Sequence, residues 1–143
     1  MAGAQPVLSA SPALARIFET YKRAWETRDA DLVLTIFTED AVYHENPFDR
    51  PMTGHPAIRR YWKRATRNQR KIEFHWSPVC SAGDLHVVDW KASYVLADGS
   101  GPAELRGGMI VELRGERIAR FREYWHRRVR TTRKRKSLRR KHG

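Results

Sequence analysis

Apolar residues recur through the first half of the chain at the three- and four-residue spacing of an α-helix. The first series predicts an amphipathic helix from Leu14 to about Thr27. Its apolar positions are Leu14, Ile17, Tyr21 and Trp25. A preceding segment, residues 1–12, is predicted to be a flexible leader.

Two more helices are predicted before residue 69. Asp29 is suited to cap the second, because its carboxylate can accept a free N–H of the first turn, and Pro56 fits the first turn of the third. Their inward positions are Leu32, Val33, Ile36 and Phe37, and then Ile58, Tyr61, Trp62 and Ala65. Between them we predict a short strand at residues 41–45 and a loop at residues 46–51, where two prolines interrupt regular structure.

After Asn68 the apolar period changes from about four to two. Ile72, Phe74 and Trp76 alternate with polar residues, which indicates a strand. Residues 85–96 and 103–113 read as long strands joined by a hairpin at residues 98–102, and a turn at Gly115 leads into a last strand, residues 117–126. Three helices followed by an antiparallel meander predict an α+β fold.

Charge divides the chain into a nearly neutral domain and a basic end. Of its 28 Lys and Arg residues, ten lie in residues 127–143, which contain no acid, so residues 1–126 hold 18 bases against 16 acids. We therefore predict one domain over residues 13–126 and a disordered basic tail over residues 127–143. The tail could bind nucleic acid through phosphate contacts, without sequence preference because it has no aromatic residue; a plain solvated tail is the favoured interpretation.

Several functional classes receive no support from the sequence. The single cysteine, Cys80, cannot form an internal disulfide, and no spaced metal-ligand motif occurs. No apolar run reaches the ~20 residues of a membrane helix, and the N-terminus lacks the features of a secretory signal. A cytoplasmic protein without metal, cofactor or membrane association is the expectation.

Four sequence segments, in order over residues 12–126, resemble the nuclear transport factor 2-like superfamily and its SnoaL-like domains. They are Phe37-Thr38-Glu39-Asp40-Ala41-Val42, Asn46-Pro47-Phe48, Gly54 with Ile58 and Tyr61-Trp62, and Arg117-Ile118 with Glu123-Tyr124-Trp125. The resemblance implies a cone-shaped, cystatin-like α+β fold with three N-terminal helices packed on a curved antiparallel sheet that encloses a pocket. Because this fold hosts isomerases, cyclases, hydrolases and non-enzymes, it implies no single chemistry.

The N-terminal half is most similar to ketosteroid isomerase. That resemblance implies Tyr21 as an oxyanion-hole donor and Glu45 as the general base, although alignment on the following proline would select Asn46 instead. Trp125 matches an aromatic of the pocket wall. At the position of the second oxyanion-hole acid the chain has Gly108 or Met109, neither of which can donate a side-chain hydrogen bond.

The strand period gives the remaining candidates. Glu45 and His44 are neighbours on a strand and point to opposite faces, so only one can face the pocket. Burial would raise the pKa of Glu45 and make it a usable base; an exposed strand-end carboxylate is the structural alternative. Glu123 lies between Phe121 and Trp125 on one face, where a carboxylate needs either a cation, such as Arg106, or a wet pocket.

These residues predict a cofactor-free acid–base catalyst of isomerase, cyclase or hydratase type acting on a small, largely apolar molecule. Glu45 and Tyr21 are the expected catalytic pair. The expected substrate-binding residues are His44, Asn46, Phe48, Tyr61, Trp62, Arg106, Met109, Phe121, Glu123 and Trp125. The alternatives are a non-catalytic ligand-binding or dimerisation module, and an accessory nucleic-acid binder that acts through the tail.

An apolar stripe on the strand at residues 85–96 predicts a homodimer. Alternate positions of that strand are apolar, and a monomer rarely exposes such a patch if it faces outward. The stripe consists of Val88, Trp90, Ala92 and Tyr94.

Overall fold

The first helix begins at a serine cap. In the computed structural model, which describes residues 10–130, α1 spans Pro12–Glu26, and the Ser11 hydroxyl accepts the Leu14 N–H at 3.1 Å. Pro12 occupies the first turn, where no backbone donor is required. The predicted apolar face is buried, and Tyr21 is 2 % exposed.

The second helix is shorter than predicted. α2 spans Ala30–Leu34 and is capped by Asp29, whose carboxylate accepts the Leu32 N–H at 2.9 Å. Ile36 and Phe37 do not continue it: Phe37 begins β1, Phe37–His44, and the Ile36 carbonyl accepts the Ile118 N–H at 2.7 Å. Sheet pairing therefore replaces the last turn of the predicted helix, and the two residues are buried as expected, Ile36 from a turn and Phe37 from a strand.

Six strands form one curved, unclosed sheet in the order β2-β1-β6-β5-β4-β3. After β1 come β2, Met52–Thr53; α3, His55–Thr66; β3, Gln69–Ala82; and β4, Leu85–Leu96. β5, Ala103–Arg114, and β6, Arg117–Val129, complete it. Every pairing is antiparallel except that of β1 with β6, which is parallel. The long connection between these two strands permits parallel pairing, which a hairpin would not.

The three helices cover one face of the sheet, and the core lies between the two layers. Trp25 of α1 packs on Trp90 of β4 with ring centroids 5.7 Å apart, and Tyr21 packs on Trp62 of α3 at 5.3 Å. The predicted α+β cone is thus confirmed. Many other aromatic rings of the core also pack in pairs, and such pairs prefer particular ring orientations in addition to burying apolar surface.

The apolar stripe of β4 faces the helices. Val88, Trp90, Ala92 and Tyr94 are at most 5 % exposed, so this stripe does not face outward, and the condition on which it would support a homodimer is not met. Period-two alternation identifies two faces of a strand but does not say which is covered. The homodimer remains a prediction that needs another surface.

The last strand continues beyond the predicted domain end at residue 126. β6 runs to Val129; Arg128 forms an ion pair with Glu104 at 2.7 Å, and the Arg130 N–H donates to the Pro102 carbonyl at 2.9 Å. Residues 1–9 and 131–143, with most of the predicted leader and tail, lie outside the described residues. No helix between residues 10 and 130 is long and apolar enough to cross a membrane.

Candidate functional site

A cavity of about 370 Å³ lies between the helices and the sheet. α1, α3 and the five strands β1, β3, β4, β5 and β6 contribute to its walls. Its walls are mainly aromatic, with Trp25, Tyr61, Trp62, Trp90, Tyr94 and Trp125. A volume of this size suits a small organic molecule.

Two tyrosines and a glutamate form a polar cluster on the cavity wall. Tyr21 comes from α1, Tyr43 from β1 and Glu123 from β6, and all three are at most 7 % exposed. The rings of Tyr21 and Tyr43 both stack on Phe121, with centroid distances of 5.9 and 4.4 Å. The stacking fixes both phenols on one side of the cavity.

Burial controls the protonation of this cluster. Burial raises the pKa of Tyr21 well above its usual value, the proximity of Glu123 and Tyr61 adds to the rise, and a hydrogen bond with the Tyr43 hydroxyl opposes it. The pKa of Tyr43 is raised by burial first and then by Glu123. Both phenols are therefore hydrogen-bond donors throughout the physiological pH range.

Glu123 is a carboxyl group buried without a cation. Burial raises its pKa well above that of an ordinary glutamate, and the nearby Glu45 carboxylate raises it further. Within residues 10–130 no basic side chain forms an ion pair with it. The expected partner, Arg106, is exposed and pairs in register with His126, on the other face of the sheet. Its proposed pairing with Glu123 was wrong.

The strand register places Glu123 beside Met109, one of the two residues that this chain has in place of the second oxyanion-hole acid of ketosteroid isomerase. On adjacent strands Glu123 of β6 lies directly opposite Met109 of β5. Residues paired in register point to the same face of a sheet, so the carboxyl enters from the neighbouring strand. This placement was not foreseen from the sequence.

Glu45 follows the last residue of β1 and lines the edge of the same cavity. Its pKa is raised by partial burial and then by the Asp49 carboxylate, while Arg64 opposes the rise. His44, its neighbour, pairs with Arg122 on the opposite face of the sheet. Burial lowers the pKa of His44, and Arg120 and Arg122 lower it further.

The structure brings together six of the predicted site residues. Tyr21, Glu45, Tyr61, Trp62, Glu123 and Trp125 all line the cavity. The other six do not: His44 and Arg106 lie on the outer face, and Met109 and Phe121 are wholly buried in the core. Phe48 is 95 % exposed, and the Asn46 side chain accepts the Phe48 N–H at 3.0 Å, which closes the loop.

The predicted site lacks five polar residues that line the cavity: Tyr43, Arg64, Thr66, Gln69 and Arg127. Three of them have a signal in the sequence. Tyr43 is two positions before Glu45 on a strand, so it shares the face of Glu45. Arg127 follows Glu123 and Trp125 at the same period, one residue beyond the predicted end of the strand at residue 126. Arg64 lies one turn after Tyr61 on α3.

The chemistry available in the cavity is proton transfer. Carboxyl and phenol groups can donate, accept and move protons. Within the described part of the chain, no group of three or more His, Cys, Asp or Glu side chains is placed to hold a metal ion.

Comparisons with known proteins agree on the fold. A family model described as "SnoaL-like domain" matches residues 18–121. A nuclear transport factor 2-like protein from Anabaena variabilis is 18 % identical with a TM-score of 0.70, covering 80 % of this chain and 87 % of its own. A protein from Catenulispora acidiphila with a ketosteroid isomerase-like fold, solved with trimethylamine, is 20 % identical with a TM-score of 0.68, covering 80 % and 86 %.

A third similar structure is SalBIII, an epoxide hydrolase/cyclase-like enzyme of pyran ring formation in the polyether salinomycin. It is 18 % identical with a TM-score of 0.69, covering 81 % of this chain and 95 % of its own. No protein with a curated description matches the sequence. Identities this low establish the fold and leave the chemistry to be argued from the cavity.

Proposed function

Because the chain belongs to the SnoaL-like domain family, with the nuclear transport factor 2-like fold, we propose that it is a cofactor-free acid–base catalyst for a small, largely apolar substrate. One observation carries the proposal: two carboxyl groups in very different surroundings line one cavity. Glu123 is buried among phenols, whereas Glu45 lies at the edge near Arg64. Such unequal pairs divide acid and base roles between them.

In the proposed reaction Glu45 is the base. Its carboxylate removes a proton from the carbon next to a substrate carbonyl, and the electrons of that C–H bond form a carbon–carbon double bond. The carbonyl π electrons move to oxygen, which becomes an enolate oxygen. Return of the proton from Glu45 to a different carbon completes an isomerisation, with no net gain or loss of atoms or electrons.

Tyr21 and neutral Glu123 stabilise the enolate oxygen. Both are donors when protonated, and their raised pKa values keep them so. A donor aimed at a developing oxyanion lowers the barrier, and two lower it further. Glu123 thereby supplies the donor that Met109 cannot. The same acid and base could serve ring formation, in which an oxygen leaving group is protonated, as the likeness to SalBIII suggests.

Substitution of the two glutamates by glutamine should lower turnover to very different extents. Glu45→Gln removes the base and should lower turnover by about 10²–10⁴-fold. Glu123→Gln retains a neutral N–H donor and should lower turnover much less, whereas Glu123→Leu removes the donor and should cost about 10²–10³-fold. The measurement is double-bond migration in a panel of β,γ-unsaturated ketones, followed by ultraviolet absorbance of the conjugated product.

Glu39→Gln is the matched control, because Glu39 is an exposed carboxyl on the same strand, β1. It should leave turnover unchanged. Full activity of Glu45→Gln, or equal losses in Glu123→Gln and Glu123→Leu, would contradict the assigned roles.

A further inference from the structure

Two arginines from different elements line the same cavity. Arg64 lies in the last turn of α3, and Arg127 lies near the end of β6. The guanidinium carbon of Arg64 is 5.8 Å from the ring centroid of Tyr61, and that of Arg127 is 5.9 Å from the centroid of Tyr94. Both tyrosines also line the cavity. Contact with an aromatic face orients a guanidinium and leaves its N–H edge available.

Neither guanidinium has a carboxylate partner among residues 10–130. Nearby arginines on the same elements do: Arg59 of α3 pairs with Asp31 at 2.8 Å, and Arg128 of β6 pairs with Glu104 at 2.7 Å. Both unpaired arginines are exposed. Their charges are therefore free to meet a group carried by a ligand.

The side chains that line the cavity carry an excess of positive charge when no ligand is bound. The charged or ionisable acidic and basic side chains of the cavity are Glu45, Glu123, Arg64 and Arg127. Glu123, buried without a cation, is neutral, so one carboxylate faces two guanidinium groups. One further negative charge would neutralise the site.

We propose that the substrate is a small carboxylic acid, with its carboxylate held by Arg64 and Arg127 and its carbonyl directed to Tyr21 and Glu123. This inference rests on the proposed function, because it names the substrate class of the same site. Planar guanidinium groups match the geometry of a carboxylate. The aromatic walls between the two ends fit an apolar or aromatic body.

The first test compares two ligands that differ in charge and little else. 3-Benzoylpropionate has a ketone, an aromatic ring and a carboxylate, and its amide has the same skeleton without the charge. Titration calorimetry at low salt should show the acid binding about three- to tenfold more tightly, the range for two exposed ion pairs. Near 1 M salt the difference in affinity should shrink, because the Debye length is then only ~3 Å.

The second test assigns the preference to the two arginines. Arg64→Gln and Arg127→Gln should each weaken binding of the acid and leave binding of the amide unchanged, and the double variant should bind both equally. Arg60→Gln is the control, because Arg60 is exposed on α3 and does not line the cavity. It should retain the preference.

Several outcomes would overturn the inference. They are equal affinity of the wild-type protein for acid and amide, binding of neither, and a preference that survives in the double variant. These outcomes are separate from failure of the proposed function, since binding is measured without turnover. A Glu45→Gln protein that binds 3-benzoylpropionate normally but no longer isomerises the β,γ-unsaturated ketones supports both.

Discussion

At the scale of single residues, Glu123 makes stability depend on pH. Below its ordinary pKa of 4.5 the carboxyl is protonated in the folded and the unfolded chain alike. Above it the unfolded chain releases the proton while the folded protein retains it. The free energy of unfolding therefore falls as pH rises toward the folded-state pKa, by at most about 1.4 kcal/mol per pH unit for one proton.

Glu123→Gln should remove this dependence. The variant keeps the size and a polar group but cannot ionise, so it should become more stable than the wild type as pH rises from 4.5 to 8. Urea denaturation across that range measures the difference. Glu39→Gln, an exposed control, should follow the wild type, and parallel curves for wild type and Glu123→Gln would refute a neutral buried Glu123.

The catalytic candidates show how far single residues could be predicted. Tyr21 and Glu45 were found because a resemblance fixed their positions, and both line the cavity. The role of Glu123 could not be assigned, because it depends on the β5–β6 register that sets it opposite Met109. A register joins residues from two strands and is not visible in the period of either one.

At the scale of elements, alternation located the four long strands but misplaced some ends. β1 begins at Phe37, four residues before the predicted strand, because its start pairs with β6 from the far end of the chain. β6 ends at Val129 although its last residues are mostly arginine. Composition suggested a solvated tail there, whereas backbone pairing and the Arg128–Glu104 ion pair continue the sheet.

The end of β6 should contribute measurably to stability. A chain that stops after His126 loses the pairing of Arg127, Arg128 and Val129 with β5, together with the Arg130 N–H bond to Pro102. Compared with a chain that stops after Arg130, it should be less stable by about 1–3 kcal/mol, since each backbone hydrogen bond contributes roughly 1 kcal/mol. Thermal unfolding of the two truncated proteins measures this. Equal melting temperatures would show that residues 127–130 belong to the tail.

At the scale of the whole molecule, the order of helices and strands sufficed to predict the layers. The apolar faces of three amphipathic helices must be buried, and the antiparallel sheet offers one apolar face on which they can pack. The sequence did not show which face of β4 packs against the helices. Trp90 and Tyr94 are apolar enough to lie either in the core or in an interface with a second chain. Helix packing decides the matter, since Trp25 of α1 lies on Trp90.

The face of the sheet opposite the helices is the surface on which we now expect the homodimer to form. Three of its partly buried apolar residues, Cys80, Val87 and Ile110, are paired in register across β3, β4 and β5. Exposed apolar side chains on β4 and β6 extend the patch: Leu85 and Tyr124 are 37 and 46 % exposed. Apolar groups grouped in this way favour a self-complementary contact between two copies of the chain.

We therefore expect a homodimer through this outer patch. Light scattering at high micromolar concentration should give about twice the chain mass of 16.7 kDa. Ile110→Asp places a charge at the centre of the patch, where burial without a cation is costly, and should weaken association at least about tenfold. Phe48→Asp makes the same kind of change in a loop whose phenylalanine is 95 % exposed, and should leave the dimer intact. A wild-type protein of single-chain mass would exclude the dimer. If Ile110→Asp remained dimeric, the two copies would have to meet elsewhere, and the apolar outer patch would need a different partner.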